Sequence, residues 1–247
     1  MRIQLINPNT TVAMTRRMAA EARRVAAGGT EIVEATSRSG PPSIEGHYDE
    51  ALSIPGLIDE IRDGAGCNAH VIACFGDPGL LAAREFATGP VVGIAEAAMR
   101  MATLVATGFS IVTTLGRTRI IAEHLVERYG MERQCRGIRA TELPVLDLEN
   151  GGDAVRKVIR AECARALAED GSGAIVLGCA GMADLAAWLE ADLGAPVIDG
   201  VAAAVKLAEA LVALGLTTSR HGDLAHPLAK TYSGSAAIHS PRDRRLG

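Results

Sequence analysis

The segment VIACFGDPGL at residues 71–80 sets a cysteine between an apolar run and a Gly/Pro turn. AIVLGCAGMADL at 174–185 repeats the arrangement, and Cys179 follows Cys74 by 105 residues. Pro90 and Pro196 stand 106 apart, opening PVVGIAEAA (90–98) and PVIDGVAAA (196–204). Two matched pairs in one register point to an internal duplication. A duplicated chain must build the same corner twice and bring the copies together about a pseudo-two-fold axis.

The segments between these landmarks say what is duplicated. Short β-type runs alternate with Ala-rich helical ones. Strands are expected at Arg2–Ile6, Glu31–Ala35, Ala69–Ala73 and Pro90–Gly93, then again at Phe109–Thr113, Arg136–Thr141, Ala174–Leu177 and Pro196–Ile198. Helices are expected over Thr11–Ala26, Ala51–Asp63, Glu96–Ala106 and Val201–Leu214, with a long loop, TSRSGPPSIEGHYDE, before the second. Alternation of this kind gives parallel βαβ units with right-handed crossovers. The expected fold class is α/β, with two facing lobes and mostly parallel four-stranded sheets. The lobes are expected at 1–95 plus 201–232 and at 96–200, followed by a polar tail at 233–247.

Composition narrows the partners. Apolar residues make up 48% of the 247 and aromatics only 3%, so the core is built from Ala, Val, Leu and Ile. A net charge of −4 gives no basic face for nucleic acid or an anionic membrane. MRIQLINPNT reads as a first strand rather than a secretion signal, and the uncharged run 101–116 is too short for a membrane span. A cytoplasmic protein is expected. The five cysteines show no CxxC and no zinc spacing, which favours free thiols, and the six histidines (His47, His70, His124, His221, His226, His239) show no metal spacing. No GxGxxG or P-loop is present. No metal and no cofactor are expected. With so few aromatics and such Ala-rich helices, a homo-oligomer is expected.

Ligands of open parallel sheets bind beyond the carboxyl ends of the strands, where both Cys74 and Cys179 fall. Each is expected to precede a helix N-terminus, where the dipole eases loss of a thiol proton. A single cysteine after a strand is ordinarily a small buried hydrophobe; the repetition marks these two. Cys163 reads as core, and Cys67 and Cys135 carry no assignment. Two thiols flanking one carbon suit removal of a proton from one face and delivery to the other. A non-catalytic two-lobed binding protein and a redox dithiol are the alternatives from other classes.

INPNT (6–10), ACFGDPGL (73–80), VTTLGRT (112–118), VLGCAGMADL (176–185) and PVIDGVAAAVKLAEAL (196–211) resemble the aspartate/glutamate/hydantoin racemase superfamily. PSIEGHYDEALSIPG (42–56) and HGDLAHPLAK (221–230) resemble its hydantoin and allantoin racemase branch. The resemblance spans about residues 1–232. It implies two Rossmann-like lobes and cofactor-independent racemisation by Cys74 and Cys179. It places Asn9, Phe75, Thr113, Thr114, Gly178 and Ala180 against a small-molecule substrate, a cyclic ureide such as a 5-monosubstituted hydantoin or allantoin. It also implies homo-oligomers.

The chain departs from the pattern in two places. Many hydantoin racemases read CFDD where this chain has Cys74-Phe75-Gly76-Asp77, so one carboxylate near a thiol is missing. Glutamate racemases resemble GCTH where it has Gly178-Cys179-Ala180-Gly181, with no histidine, which disfavours the alternative of a free amino acid substrate. Glu45 reads as a solvated loop charge or a cleft residue. Glu96 and Asp199 read as helix caps or lobe-joining residues, and Arg117 as a surface residue.

Overall fold

The computed structural model describes residues 1–148 and 152–241. Among these residues eight strands are interleaved with eight α-helices. The first half runs β1 (Arg2–Asn7), α1 (Val12–Val25), β2 (Glu31–Thr36), α2 (His47–Asp63), β3 (Ala69–Ile72), α3 (Leu80–Phe86), β4 (Val91–Gly93) and α4 (Ile94–Val105). The second half runs β5 (Phe109–Thr113), α5 (Arg119–Arg128), β6 (Cys135–Ala140), α6 (Gly152–Glu169), β7 (Ala174–Leu177), α7 (Ala186–Leu193), β8 (Val197–Ile198) and α8 (Gly200–Ala213). The two sheets have the orders β2-β1-β3-β4 and β6-β5-β7-β8, all parallel. The second order is the first shifted by four strands, as a duplicated unit requires. None of the described helices is long and apolar enough to cross a membrane.

The central strands are buried on both faces, so they read as unbroken apolar runs rather than alternating ones: all four residues of β3 and of β7 are buried. Between the sheets lie α4 and α8, packed on each other. Ala95, Ala97, Ala98 and Ala102 face Ala203, Ala204 and Ala208 in one continuous core that also takes in β1, β3, β5 and β7. The small side chains allow the helices close approach. At their crossing Gly200 leaves no room for a Cβ, which would stand 2.7 Å from the Ile94 carbonyl oxygen. Helix α8 packs on β3 and β4 of the first sheet, and α4 on β7 of the second.

One segment differs from the sequence expectation. Helix α2 begins at His47, four residues before Ala51, taking in part of the expected loop. Asp49 and Glu50 lie in its first turn, where carboxylates meet the positive end of the helix dipole, and Asp49 Oδ2 accepts from Glu45 N–H at 3.0 Å. The chain beyond α8 is held to the first half at Arg220. Arg220 Nη1 donates to the Arg84 and Glu85 carbonyls at 3.0 and 3.2 Å, over the last turn of α3, and Nη2 donates to the Ala87 carbonyl. A short 3₁₀ turn forms at Gly234–His239. Positions 242–247 of the expected tail lie outside the described residues.

Candidate active site

The two thiol corners hang from the carboxyl ends of β3 and β7, the middle strands of their sheets. The polypeptide leaves β3 through Ala73, whose N–H donates to the Ile6 carbonyl, and leaves β7 through Gly178, whose N–H donates to the Val112 carbonyl. The corners then repeat at atomic detail. The N–H of Gly76 is directed to the Cys74 sulfur and the N–H of Gly181 to the Cys179 sulfur, each two residues on.

Both sulfurs line a single cleft between the lobes. Its volume is about 60 Å³, several times the ~10–15 Å³ that one water needs. All eight residues singled out from the sequence lie on its wall: Asn9, Cys74, Phe75, Thr113, Thr114, Gly178, Cys179 and Ala180. Asn9 Oδ1 accepts from Asn7 Nδ2 and Thr11 N–H, which fixes the amide so that Nδ2 faces Met14 Sδ. Thr113 Oγ1 donates to the Gly178 carbonyl at 3.2 Å and pairs with Thr118 Oγ1 at 2.9 Å. The Thr113 hydroxyl is thereby committed to bracing the second thiol corner, while Thr114 lines the cleft with its carbonyl held by Thr141 Oγ1.

The expectation that helix termini ease ionisation of the thiols does not hold. Helix α3 starts at Leu80, six residues past Cys74, and Cys179 precedes a 3₁₀ turn (Ala180–Leu185) rather than an α-helix. Burial pushes the Cys74 thiol up to about 12 and Cys179 up to about 11, against the lowering effect of the Gly76 and Gly181 N–H groups. For Cys74 the neighbouring Cys179, Asp77 and Glu50 add to the rise. Desolvation of a thiolate in an apolar cleft outweighs one backbone donor. All five cysteines are free thiols, and Cys163 is core, as expected.

Several contributors escaped the sequence reading. Glu50, from the first turn of α2, places a carboxylate on the cleft wall; Ile44, Ile121 and Val145 supply apolar wall. Glu45 neither stands in solvent nor lines the cleft. Its Oε1 accepts from Val145 N–H at 2.8 Å, joining the first-lobe loop to the second lobe. The His47 and His124 rings stack nearby at 6.1 Å, and a Cβ on Gly46 would come within 2.8 Å of Arg117 Nη2. These contacts link the end of the loop and the start of α2 to the second half of the chain. Asp199 caps α8 through the N–H groups of Val201 and Ala202. Glu96 does not cap α4; it pairs with Arg84 and Arg100. No group of three His, Cys, Asp or Glu suited to a metal ion occurs among the described residues.

The Asp/Glu/Hydantoin racemase family model matches residues 3–208. The chain belongs to that family. It is 49% identical over 237 residues to a hydantoin racemase of Pseudomonas sp. (strain NS671), covering 95% of each chain. It also resembles the solved allantoin racemase from Klebsiella pneumoniae, at 60% identity and a TM-score of 0.95, over 98% of this chain and 100% of that one. The allantoin racemase structure from Pseudomonas fluorescens is 38% identical, with a TM-score of 0.92 over 95% of this chain and 100% of that one. As a member of the Asp/Glu/hydantoin racemases, the chain carries both thiol corners inside the matched span.

Proposed function

We propose that the protein racemises a cyclic ureide, a 5-monosubstituted hydantoin or allantoin, with Cys74 and Cys179 as a paired acid and base. The observation that carries this reading is the repeated corner: two thiols on equivalent turns, each with a Gly N–H at its sulfur, both lining one cleft. The hydantoin and allantoin racemases it resembles support the substrate class.

In such a ring the stereocentre lies beside a carbonyl. One sulfur, as thiolate, takes the hydrogen from that carbon; the bonding pair moves into the ring as an enolate. The opposite thiol then gives its proton to the other face. The enzyme finishes with the two protonation states exchanged, ready for the other enantiomer. Thr114 and cleft-facing backbone N–H groups hold the carbonyl oxygen as it gains charge. No cofactor enters the scheme. The exposed Leu104 and Val105 of α4 lie at one end of the α4–α8 pair, and Leu214 and Leu216 follow α8; these apolar groups support the further reading that copies of the chain associate.

Single enantiomers of allantoin, alkyl and aryl hydantoins, aspartate and glutamate, incubated with protein dialysed against a chelator, test the substrate class by optical rotation. Rotation should decay to zero for at least one ureide, faster than with boiled protein, and persist for the amino acids. Decay for the amino acids alone would overturn the reading.

The raised thiols also set a pH profile. In the free enzyme the thiolate is the minor form at neutrality, and its fraction grows as pH climbs toward the raised values. The rate constant kcat/KM should therefore increase by about tenfold per unit at first and still be increasing at about pH 9. A plateau from pH 7 upward would show that the base ionises well below the range that burial imposes.

A further inference from the structure

Asp77 follows Cys74 by three residues and is wholly buried, yet the proton transfers above do not use it. Its backbone has φ +44, a left-handed conformation uncommon outside glycine. Its N–H donates to the Cys74 carbonyl at 3.0 Å, closing the turn that carries the thiol. Its carboxylate is fully engaged. Oδ1 accepts from Ala95 N–H at 3.0 Å, and Oδ2 accepts from Glu96 N–H at 2.9 Å and from Tyr129 Oη–H at 2.7 Å.

The two halves solve the same capping problem differently. In the second half Asp199 precedes α8 and caps it locally. In the register of Pro90 and Pro196, the matching residue of the first half is Gly93, which has no side chain to offer. A Cβ there would fall inside the Asp77 carboxylate. The first corner thus reaches across to cap α4, and in doing so it takes up a hydroxyl from Tyr129, at the end of α5 in the second half. Met182, at the matching place after Cys179, has no carboxylate and makes no such tie.

We propose that Asp77 is a positioning residue: through Tyr129 Oη it fixes the Cys74 corner against the second lobe and so sets the separation of the two thiols. A cap needs only the α4 N–H groups. The tyrosine adds to the Cys74 corner a cross-lobe hydrogen bond that Met182 cannot make on the Cys179 side. The placement of the corner stands on geometry; its consequence for turnover rests on the two-thiol reading.

Peptide-resolved alkylation of the full chain with iodoacetamide tests the proposal, using Tyr129→Phe and Asp77→Asn. Tyr129→Phe keeps both caps on α4 and removes only the cross-lobe hydroxyl. It should raise Cys74 alkylation by about threefold or more while Cys179 stays within error, because only the first corner is loosened. Asp77→Asn, which loses an acceptor as well, should move Cys74 further in the same direction. In D₂O, Tyr129→Phe should also return deuterium with retention more often per inversion than the parent protein. Equal change at both thiols, or none at either, overturns the proposal and leaves Asp77 a plain helix cap. If Asp77→Asn does not fold, Tyr129→Phe decides alone. Should Cys74→Ser racemise at the parent rate, the two-thiol reading fails, and the alkylation contrast still decides whether the corner is held.

Discussion

Cys74→Ser and Cys179→Ser should each abolish racemisation while keeping half of the chemistry. A serine hydroxyl is far too weakly acidic to replace a thiol as base near neutrality. Inversion should fall by more than the ~10²–10⁴-fold that a single acid–base group typically contributes. Yet each variant retains one thiol on one side of the cleft. That thiol can take the hydrogen of one enantiomer, exchange it with D₂O and return deuterium to the same face. One variant should therefore label one enantiomer with retention, and the other variant the opposite enantiomer, read by proton NMR. Exchange of the same enantiomer by both, or inversion near the parent rate by either, would end the two-thiol account. A constraint sharpens the readout. Enantiomers have equal free energies in solution, so kcat/KM must be equal in both directions for the parent and every variant. An asymmetry can show only in kcat and KM separately, or in exchange against inversion.

Gly178→Ala should lower both stability and turnover without touching a thiol. An added methyl would sit 2.9 Å from Thr113 Cβ, 3.0 Å from Thr113 Cα and 3.1 Å from Ile111 Cγ2. Two of those atoms are backbone or next to it, on a fully buried strand, so the strand or the Cys179 corner has to move. Overpacking of this kind costs about 1–3 kcal/mol, and each kcal/mol lowers Tm by about 2–4 °C in a chain of this size. Displacing Cys179 by a fraction of an ångström to an ångström should lower kcat by about 10²-fold. Gly28→Ala is the control, since a Cβ there meets nothing within 4 Å. Parent-like Tm and kcat for Gly178→Ala would show that the close approach is not needed.

How much of this was legible in the sequence depends on the range of the interaction. Phe109–Thr113 and Ala174–Leu177 have the bounds that their apolar runs announce, because a strand buried on both faces writes its burial into consecutive residues. The shared offsets near 105 disclosed the duplication and, with it, the facing thiols. The eight site residues reach one cleft because they sit at matching strand ends or in the thiol corners. The misses concern partners that meet only in space. FGDPG shows Asp77 as a turn residue, while its partners Ala95, Glu96 and Tyr129 lie 18, 19 and 52 positions away. Glu45 meets Val145 across 100 positions. Thiol ionisation went the wrong way for a related reason. A helix dipole can be inferred from local sequence, whereas burial by two lobes at once cannot.

The shared core between the sheets bears on how the lobes can move. Two-lobed proteins commonly open as jaws about a hinge, with few contacts crossing between the halves. Here the alanine-lined crossing of α4 and α8 joins both sheets in one buried core, and swinging the lobes apart would tear it open. The loop at 37–46 adds a second link between the halves, through Glu45 on Val145 N–H. A two-lobed outline therefore does not bring a free hinge with it: the halves are joined both through a common core and through this loop.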